Sequence, residues 1–515
     1  MNVPRISQVS RRSTAAALLL LVVASSCSTY DVKFPRPVSH ALELRPATRL
    51  AQLFESAAAA HPDKSGINAI RAPRIALEGR IAMVDLAQQS LDLQYYIWDD
   101  DVSGGLLGER LVRAAERGVR VRLLLDDISI VDRDSNLARL SGHPNIDIRA
   151  FNPFRDRGRW GDLFHDASRV NRRSHNKILV ADNAVAIVGG RNIGDQYFGM
   201  ATHTNYRDLD AIVAGPVVRD ISSIFDSFWN SKFAIPYAAF VDHPPTAADA
   251  DAQIAQLRAD VARAQLPYPI DEDVARLISE MESIRDDLIW TSVRVLYDDP
   301  AKAEDKGVKG IVGELADLAS NAQHEVLIEN AYFVPREPML NIISALTARG
   351  VRVRILTNSM ASNEVIPVVA GYNRYRDDLL RAGAEIYELR PDSRMKRNWS
   401  LISTRSPSGL HTKAMVVDRR YVVIGSYNLD PRSADINSEL ALLADSSEFG
   451  AIVGGFLDEG VDPENSFRVT LDDGRLKWTA SSDGREVVYT KEPETGWGLR
   501  CVVWMIGLLP IHSQL

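Results

Sequence analysis

Ser174-His175-Asn176-Lys177-Ile178-Leu179-Val180-Ala181-Asp182 is matched, 236 residues further on, by Leu410-His411-Thr412-Lys413-Ala414-Met415-Val416-Val417-Asp418. Both stretches read His-x-Lys-x4-Asp. Both reach a glycine seven residues after the aspartate (Gly189, Gly425) and an asparagine 17 residues after the histidine (Asn192, Asn428). Apolar patterns recur by chance, but His, Lys, Asp and Asn are costly to bury unless paired, so a fold retains them in phase for a reason.

Outward from these motifs the repeat continues. Arg117-Gly118-Val119-Arg120-Val121-Arg122 recurs letter for letter as Arg349-Gly350-Val351-Arg352-Val353-Arg354, and Tyr96 and Tyr332 stand in phase with the histidines. Each copy reads as a buried strand (Leu91 to Ile97; Val326 to Phe333), a helix closed by Arg-Gly, a second strand (Val119 to Leu125; Val351 to Thr357), and then the motif. Strands alternating with helices at this spacing predict an α/β fold, two fused sandwich repeats related by a pseudo-twofold axis and joined face to face. The expected boundaries are 73–231 for the first repeat, 232–307 for a helical insertion packed over one face, and 308–455 for the second repeat. A tail of short strands with an apolar end takes 456–515. In the insertion Val274, Leu277, Met281, Ile284 and Leu288 recur at helical spacing. The apolar end, Trp497 to Ile511, is shorter than a membrane span. Burial against the protein is the expected arrangement, and a membrane interface, which suits tryptophan, is the alternative.

Composition sets outer limits. A chain of 515 residues with 45% hydrophobic and 25% charged residues has ordinary globular material for a large core. A net charge of −8 supplies no global basic field, so nucleic acid is not an expected partner. A local basic cleft stays open, because Arg169, Arg172, Arg173, Lys177 and Arg191 cluster around the first motif; the plainer reading of Arg169 and Arg172 is a solvated loop.

Residues 1–26 read as a targeting segment, followed by an N-terminal extension, 27–72. Arg5, Arg11 and Arg12 precede a short apolar run, Ala15 to Ala24, and small residues then lead into Cys27. The pattern resembles the lipobox of bacterial lipoproteins, in which the cysteine is acylated; the alternative is an ordinary cleaved signal peptide. Either places the mature chain in the cell envelope, facing the periplasm or the exterior. With Cys27 acylated, Cys501 has no partner and no disulfide is expected.

The duplicated His-x-Lys-x4-Asp, followed by Gly189-Gly190-Arg191-Asn192 or Gly425-Ser426-Tyr427-Asn428, resembles the phospholipase D superfamily over roughly residues 73 to 445. The longer run Ser174 to Phe198 is similar to its bacterial cardiolipin synthase branch, most of all the cardiolipin synthase C type. Cardiolipin synthases of the better-known type carry N-terminal transmembrane helices, where this chain has a signal segment. The resemblance implies two phospholipase D-like repeats and a two-step phosphohistidine mechanism, with His175 as nucleophile and His411 as acid. It also implies that Asp208 and Glu439, equivalent in Tyr206-Arg207-Asp208-Leu209 and Asn437-Ser438-Glu439-Leu440, each orient the histidine of their own half.

The chemistry follows from the residue types as well. One neutral imidazole attacks phosphorus while an imidazolium protonates the leaving alcohol, so two histidines suffice without metal or cofactor. Lys177 and Lys413 place positive charge at the equatorial oxygens, and Asn192 and Asn428 add neutral hydrogen bonds. Asp182 and Asp418 belong to the same catalytic motif, yet their position seven residues past the histidine suggests an ion pair or turn-holding role. No zinc spacing, P-loop or dinucleotide fingerprint is present. The expected substrates are phospholipids at a membrane surface reached through a lipid anchor, and the sequence leaves protein partners open. The expected reaction is transfer of a phosphatidyl group between two phospholipids to make cardiolipin. The alternative is hydrolysis by the same residues, as a phospholipase D or another phosphodiesterase, including a nuclease.

Overall fold

The computed structural model describes residues 34–130, 133–154, 167–266, 273–304, 310–395 and 407–509; the targeting segment and Cys27 lie outside them. In the first repeat, strands Ser90–Tyr95, Arg120–Asp126 and Ile146–Phe151 run parallel. In the second, Glu325–Asn330, Arg352–Asn358 and Glu385–Leu389 do the same. Helices Val102–Glu116 and Glu337–Ala348 make the first crossover of each repeat. Gly118 and Gly350 follow at φ +92° and +82°, a left-handed stop that glycine adopts without steric cost. The duplicated Arg-Gly-Val-Arg-Val-Arg is therefore a helix stop running into a core strand.

The motif strands lie on the other side. Ile178–Ala181 pairs antiparallel with Ser90–Tyr95, and Lys413–Val417 with Glu325–Asn330. Each turns back in a hairpin to Val185–Gly189 or Tyr421–Gly425. The central turn residues Asp182, Asn183, Asp418 and Arg419 all have φ of 50° to 53°, in turns closed by the Ala184 N–H on the Ala181 carbonyl and the Arg420 N–H on that of Val417. The next strands, Asp210–Ala214 and Leu440–Asp445, pass so close that a Cβ on Gly189 would lie 2.1 Å from Asp210 Oδ1, and one on Gly425 2.3 Å from the Leu440 carbonyl oxygen.

Two α/β repeats of matching strand order are thus present, and they are joined in two ways. Ser65–Ile67 pairs antiparallel with Thr291–Ile289, fusing both sheets edge to edge into one that has 18 strands among the described residues. Ile178, Val180, Val188, Val416, Val422 and Ile424 also share one core with helices Pro216–Trp229 and Ser447–Gly460.

Three stretches differ in detail from the sequence reading. Helices Ala247–Arg263 and Val274–Asp286 pack on the helical layer of the first repeat, where Leu277 and Met281 are buried. The strand Ile289–Tyr297 that follows belongs to the second sheet, pairing with Leu440–Asp445. Its period-two alternation begins directly where the helical periodicity ends at Leu288. Ser65–Ile70 likewise belongs to the first sheet, ahead of residue 73. In the tail, strands Ser466–Asp472, Arg475–Ser482 and Arg485–Tyr489 form a meander on the edge strand Glu385–Leu389. The terminal helix Trp497–Gly507 corrects the expectation of burial. Only Val503 is buried, while Trp497 and Trp504 are 80% and 67% exposed.

Candidate active site

Backbone hydrogen bonds bring the two motifs together. The His175 N–H donates to the carbonyl of Ser438 at 2.8 Å, and the His411 N–H to that of Arg207 at 2.8 Å. Strands Asn205–Arg207 and Ser408–Leu410 pair in parallel across the repeats, and Ser174 bridges Ser438. Each histidine is therefore held against the residue just before the other repeat's carboxylate.

The consequence is an exchange of partners. His175 Nδ1 lies 2.9 Å from Glu439 Oε2, and His411 Nδ1 2.7 Å from Asp208 Oδ2. The own-half pairing expected from the sequence is corrected: phase identifies Asp208 and Glu439 as equivalent, but not the side of the pseudo-twofold axis on which each acts. With Nδ1–H committed to a carboxylate, Nε2 of each ring is left for the reacting centre. Glu439 also accepts from Ser426 Oγ (2.5 Å) and Ser433 Oγ (2.7 Å). Asp208 accepts from the Leu209 N–H (2.8 Å), and Gly190 makes room for it, since a Cβ there would meet Asp208 Oδ1 at 2.1 Å.

Burial sets the charge state. It lowers the His175 pKa to about 4 despite Glu439, and that of His411, with the help of Lys413, to about 3 despite Asp208. Burial alone would raise both carboxyls, yet His411 and Lys413 hold Asp208 down to about 2, and His175 and Lys177 hold Glu439 below its usual range. The resting site thus holds two neutral imidazoles on two carboxylates. Burial also lowers Lys413 to about 8 and Lys177 well below its ordinary value. Each ammonium donates to the carbonyl of its own histidine, Lys177 at 2.6 Å and Lys413 at 2.5 Å, and each sits over the in-phase tyrosine, Tyr96 or Tyr332.

The asparagines differ. Asn192 accepts from the Ile97 N–H and donates to Tyr197 Oη, whereas Asn428 is buried with Oδ1 unpartnered among the described residues. Asp182 and Asp418 stand apart from the reacting centre. Asp182 accepts from the backbone N–H groups of Gln88, Gln89 and Ser90, and Asp418 from those of Gln323, His324 and Glu325. Both clamp the hairpin to the start of the neighbouring strand. The arginines of the first motif form neither a free basic cleft nor a solvated loop. Arg173 pairs with Asp126, Arg191 with Asp210, Arg172 binds the Lys302 carbonyl and Arg169 that of Pro153.

Several residues of the site were not read from the sequence. Tyr197 and Tyr206 flank His411 with ring centroids 5.0 Å and 5.4 Å away, whereas His175 has Tyr96 at 4.9 Å. Asp126 accepts from the Ser174 N–H, and Asn358 from that of Leu410, each at 2.8 Å. Each is the last residue of the strand that begins in the duplicated Val-Arg-Val-Arg, so extending that alignment by four residues finds them. Among the described residues no group of three or more His, Cys, Asp or Glu is arranged to hold a metal ion.

Paired imidazoles with opposed carboxylates and two lysines, on a duplicated α/β fold, define the phospholipase D-like class. A family profile described as "Cardiolipin synthase, PLD-like domain" matches residues 81–229 and 315–453, and the chain belongs to that family. It is 36% identical to cardiolipin synthase C of Escherichia coli (strain K12), over 91% of this chain and all of that one. Identity is 27% to cardiolipin synthase A of Pseudomonas syringae pv. syringae, over 72% of this chain and 63% of that one. A crystal structure of phosphatidylserine synthase from Haemophilus influenzae Rd KW20 shares the fold, with a TM-score of 0.53, 14% identity and coverage of 82% and 92% of the two chains.

Proposed function

We propose that this chain is a phosphatidyltransferase that makes cardiolipin from two phospholipids. The observation that carries the reading is the pair of buried histidines, each with Nδ1 on the opposite repeat's carboxylate. His175 Nε2 attacks the donor phosphorus, the bond to the headgroup alcohol breaks, and that alcohol leaves with a proton from His411. The phosphodiester's negative charge, entering beside His411, favours the imidazolium that the step needs. Neutral His411 then takes the proton of the acceptor lipid's alcohol, whose oxygen displaces His175 from phosphorus. One phosphodiester replaces another, so no nucleotide donor is consumed. Lys177, Lys413, Asn192 and Asn428 hold the phosphoryl oxygens, while Asp208 and Glu439 orient the imidazoles. Asp182 and Asp418 serve the motif by holding its hairpins. The chain works from the periplasmic side of the cell envelope, anchored through an acylated Cys27, where tethering gives phospholipid a high effective concentration.

Mass spectrometry of lipids from cells lacking cardiolipin, after expression of this chain, tests the reaction. Cardiolipin is expected with the wild type and not with His411→Ala. Accumulation of phosphatidic acid in its place would make the chain a hydrolase.

A further inference from the structure

Six of the twelve exposed large hydrophobic residues among those described fall within thirteen positions at the C-terminal end: Trp497, Val502, Trp504, Met505, Leu508 and Leu509. The helix Trp497–Gly507 is apolar on two faces. Leu499, Val503 and Ile506 pack on Met360, Ile366, Val369 and Ala370, the last three from the helix Ile366–Arg381. The opposite stripe, Trp497, Cys501, Trp504, Met505 and Leu508, recurs at three- and four-residue spacing and faces outward. Eleven residues are far too few to cross a bilayer, and no described helix is long and apolar enough to do so. A helix that keeps two tryptophans and a methionine in solvent, with Arg500 its sole charged residue, is built to lie in an interface.

Its position links it to the catalytic centre. Glu364, two residues before the helix Ile366–Arg381, accepts from Tyr206 Oη at 2.6 Å, and the Tyr206 ring packs against His411. At the edge of the packing between the two helices lies a cleft of about 430 Å³, lined by Met360, Ala370, Trp504 and Leu508, with Arg374, Arg500 and Glu492, the last already paired with Arg376, also in its wall. An apolar floor beside guanidinium groups suits acyl chains under anionic headgroups. We propose that the exposed face of Trp497–Gly507 docks into the interface of an anionic phospholipid bilayer and sets the His411 side of the active site against that surface. This rests on the phospholipid reading of the site for its purpose, and the test separates the two.

In the full chain carrying Cys27→Ser, Cys501 is the sole cysteine, and it is exposed on this helix. An environment-sensitive fluorophore on Cys501 should shift to the blue on phosphatidylglycerol vesicles. Trp497→Ser and Trp504→Ser should each weaken vesicle binding roughly tenfold, the loss of a half-buried indole. Met505→Gln with Leu508→Gln provides a second, independent lesion. All should retain turnover of a short-chain phosphatidylglycerol kept below its micelle concentration. An unshifted fluorophore on vesicles would overturn the docking. So would a shift without vesicles accompanied by doubled mass, which would assign the face to a second copy. Loss of turnover on the monomeric lipid in the variants would make the helix merely structural. A wild type that binds vesicles yet turns over no monomeric phospholipid would sink the phospholipid reading and leave the docking standing.

Discussion

Each imidazole takes its carboxylate from the opposite repeat, and that exchange makes the two carboxylates separable by experiment. Glu439→Gln leaves His175 without its anion, and Asp208→Asn does the same to His411. Both should lower kcat roughly 10²- to 10⁴-fold on a natural phospholipid. A donor with an acidic leaving alcohol needs no acid in the first step, so the burst of that alcohol should be restored in Asp208→Asn but not in Glu439→Gln. The opposite pattern would exchange the roles of the histidines. The same burial predicts a pH dependence of stability. His175 and His411 are held at about 4 and about 3, below the ordinary 6.5 that the unfolded chain recovers. Above about pH 6.5 neither state binds a proton there. As pH falls the unfolded state binds first, so stability should drop from about pH 6.5 toward 3, with the His175 contribution complete near 4 and that of His411 near 3. Replacing both histidines by Asn should flatten denaturant midpoints across that window; an unchanged slope would mean the rings are protonated in the fold.

At the scale of elements, the motif aspartates matter as clamps of backbone. Asp182 is fully buried and satisfies three N–H groups at the start of strand Ser90–Tyr95, while Asp418 does the same at a half-exposed turn. Asp182→Ala should cost about 3 kcal/mol, because buried donors lose their acceptor, and Asp418→Ala less, because water replaces it. Thermal melts check the order, and turnover per folded molecule should survive in both. The elements that the sequence made legible are those whose residues recur in phase: the first two core strands of each repeat, the Arg-Gly helix stops and the turns held by the motif aspartates. Others were hidden for physical reasons. Strand Ile289–Tyr297 follows a helical periodicity without a break. Asp126 and Asn358 act through backbone N–H groups, which leave no mark on the sequence except position. The arginines near the first motif read as a charge cluster until Asp126 and Asp210, remote in sequence, appear beside them. The exposure of Trp497 and Trp504 depends on which helix face finds a partner, and composition does not say.

The whole molecule behaves as one unit because the contacts that build the site are those that join the repeats. Strand Asn205–Arg207 lies on Ser408–Leu410, and Ser65–Ile67 on Thr291–Ile289. Arg207, next to Asp208, forms a fully buried ion pair with Glu329 at 2.7 Å and lies over the Phe456 ring. Arg172 and Arg432 each cross to the other repeat, to the carbonyls of Lys302 and Asn171. Removing one partner of a buried pair leaves the other charge uncompensated, which costs about 3–5 kcal/mol. Arg207→Met should therefore loosen both repeats together and displace Asp208 from His411. Heating the wild type should give a single transition in which far-UV circular dichroism and turnover disappear at the same temperature, and Arg207→Met should move both midpoints down by the same amount. A chain of two independent repeats would instead melt in two steps, with turnover lost at the first and about half of the secondary structure persisting to the second. That result would reduce the shared core of Ile178, Val180, Val416 and Ile424 to a weak contact. It would also mean that the exchanged His–carboxylate pairs, rather than the packing beneath them, hold the two halves in register.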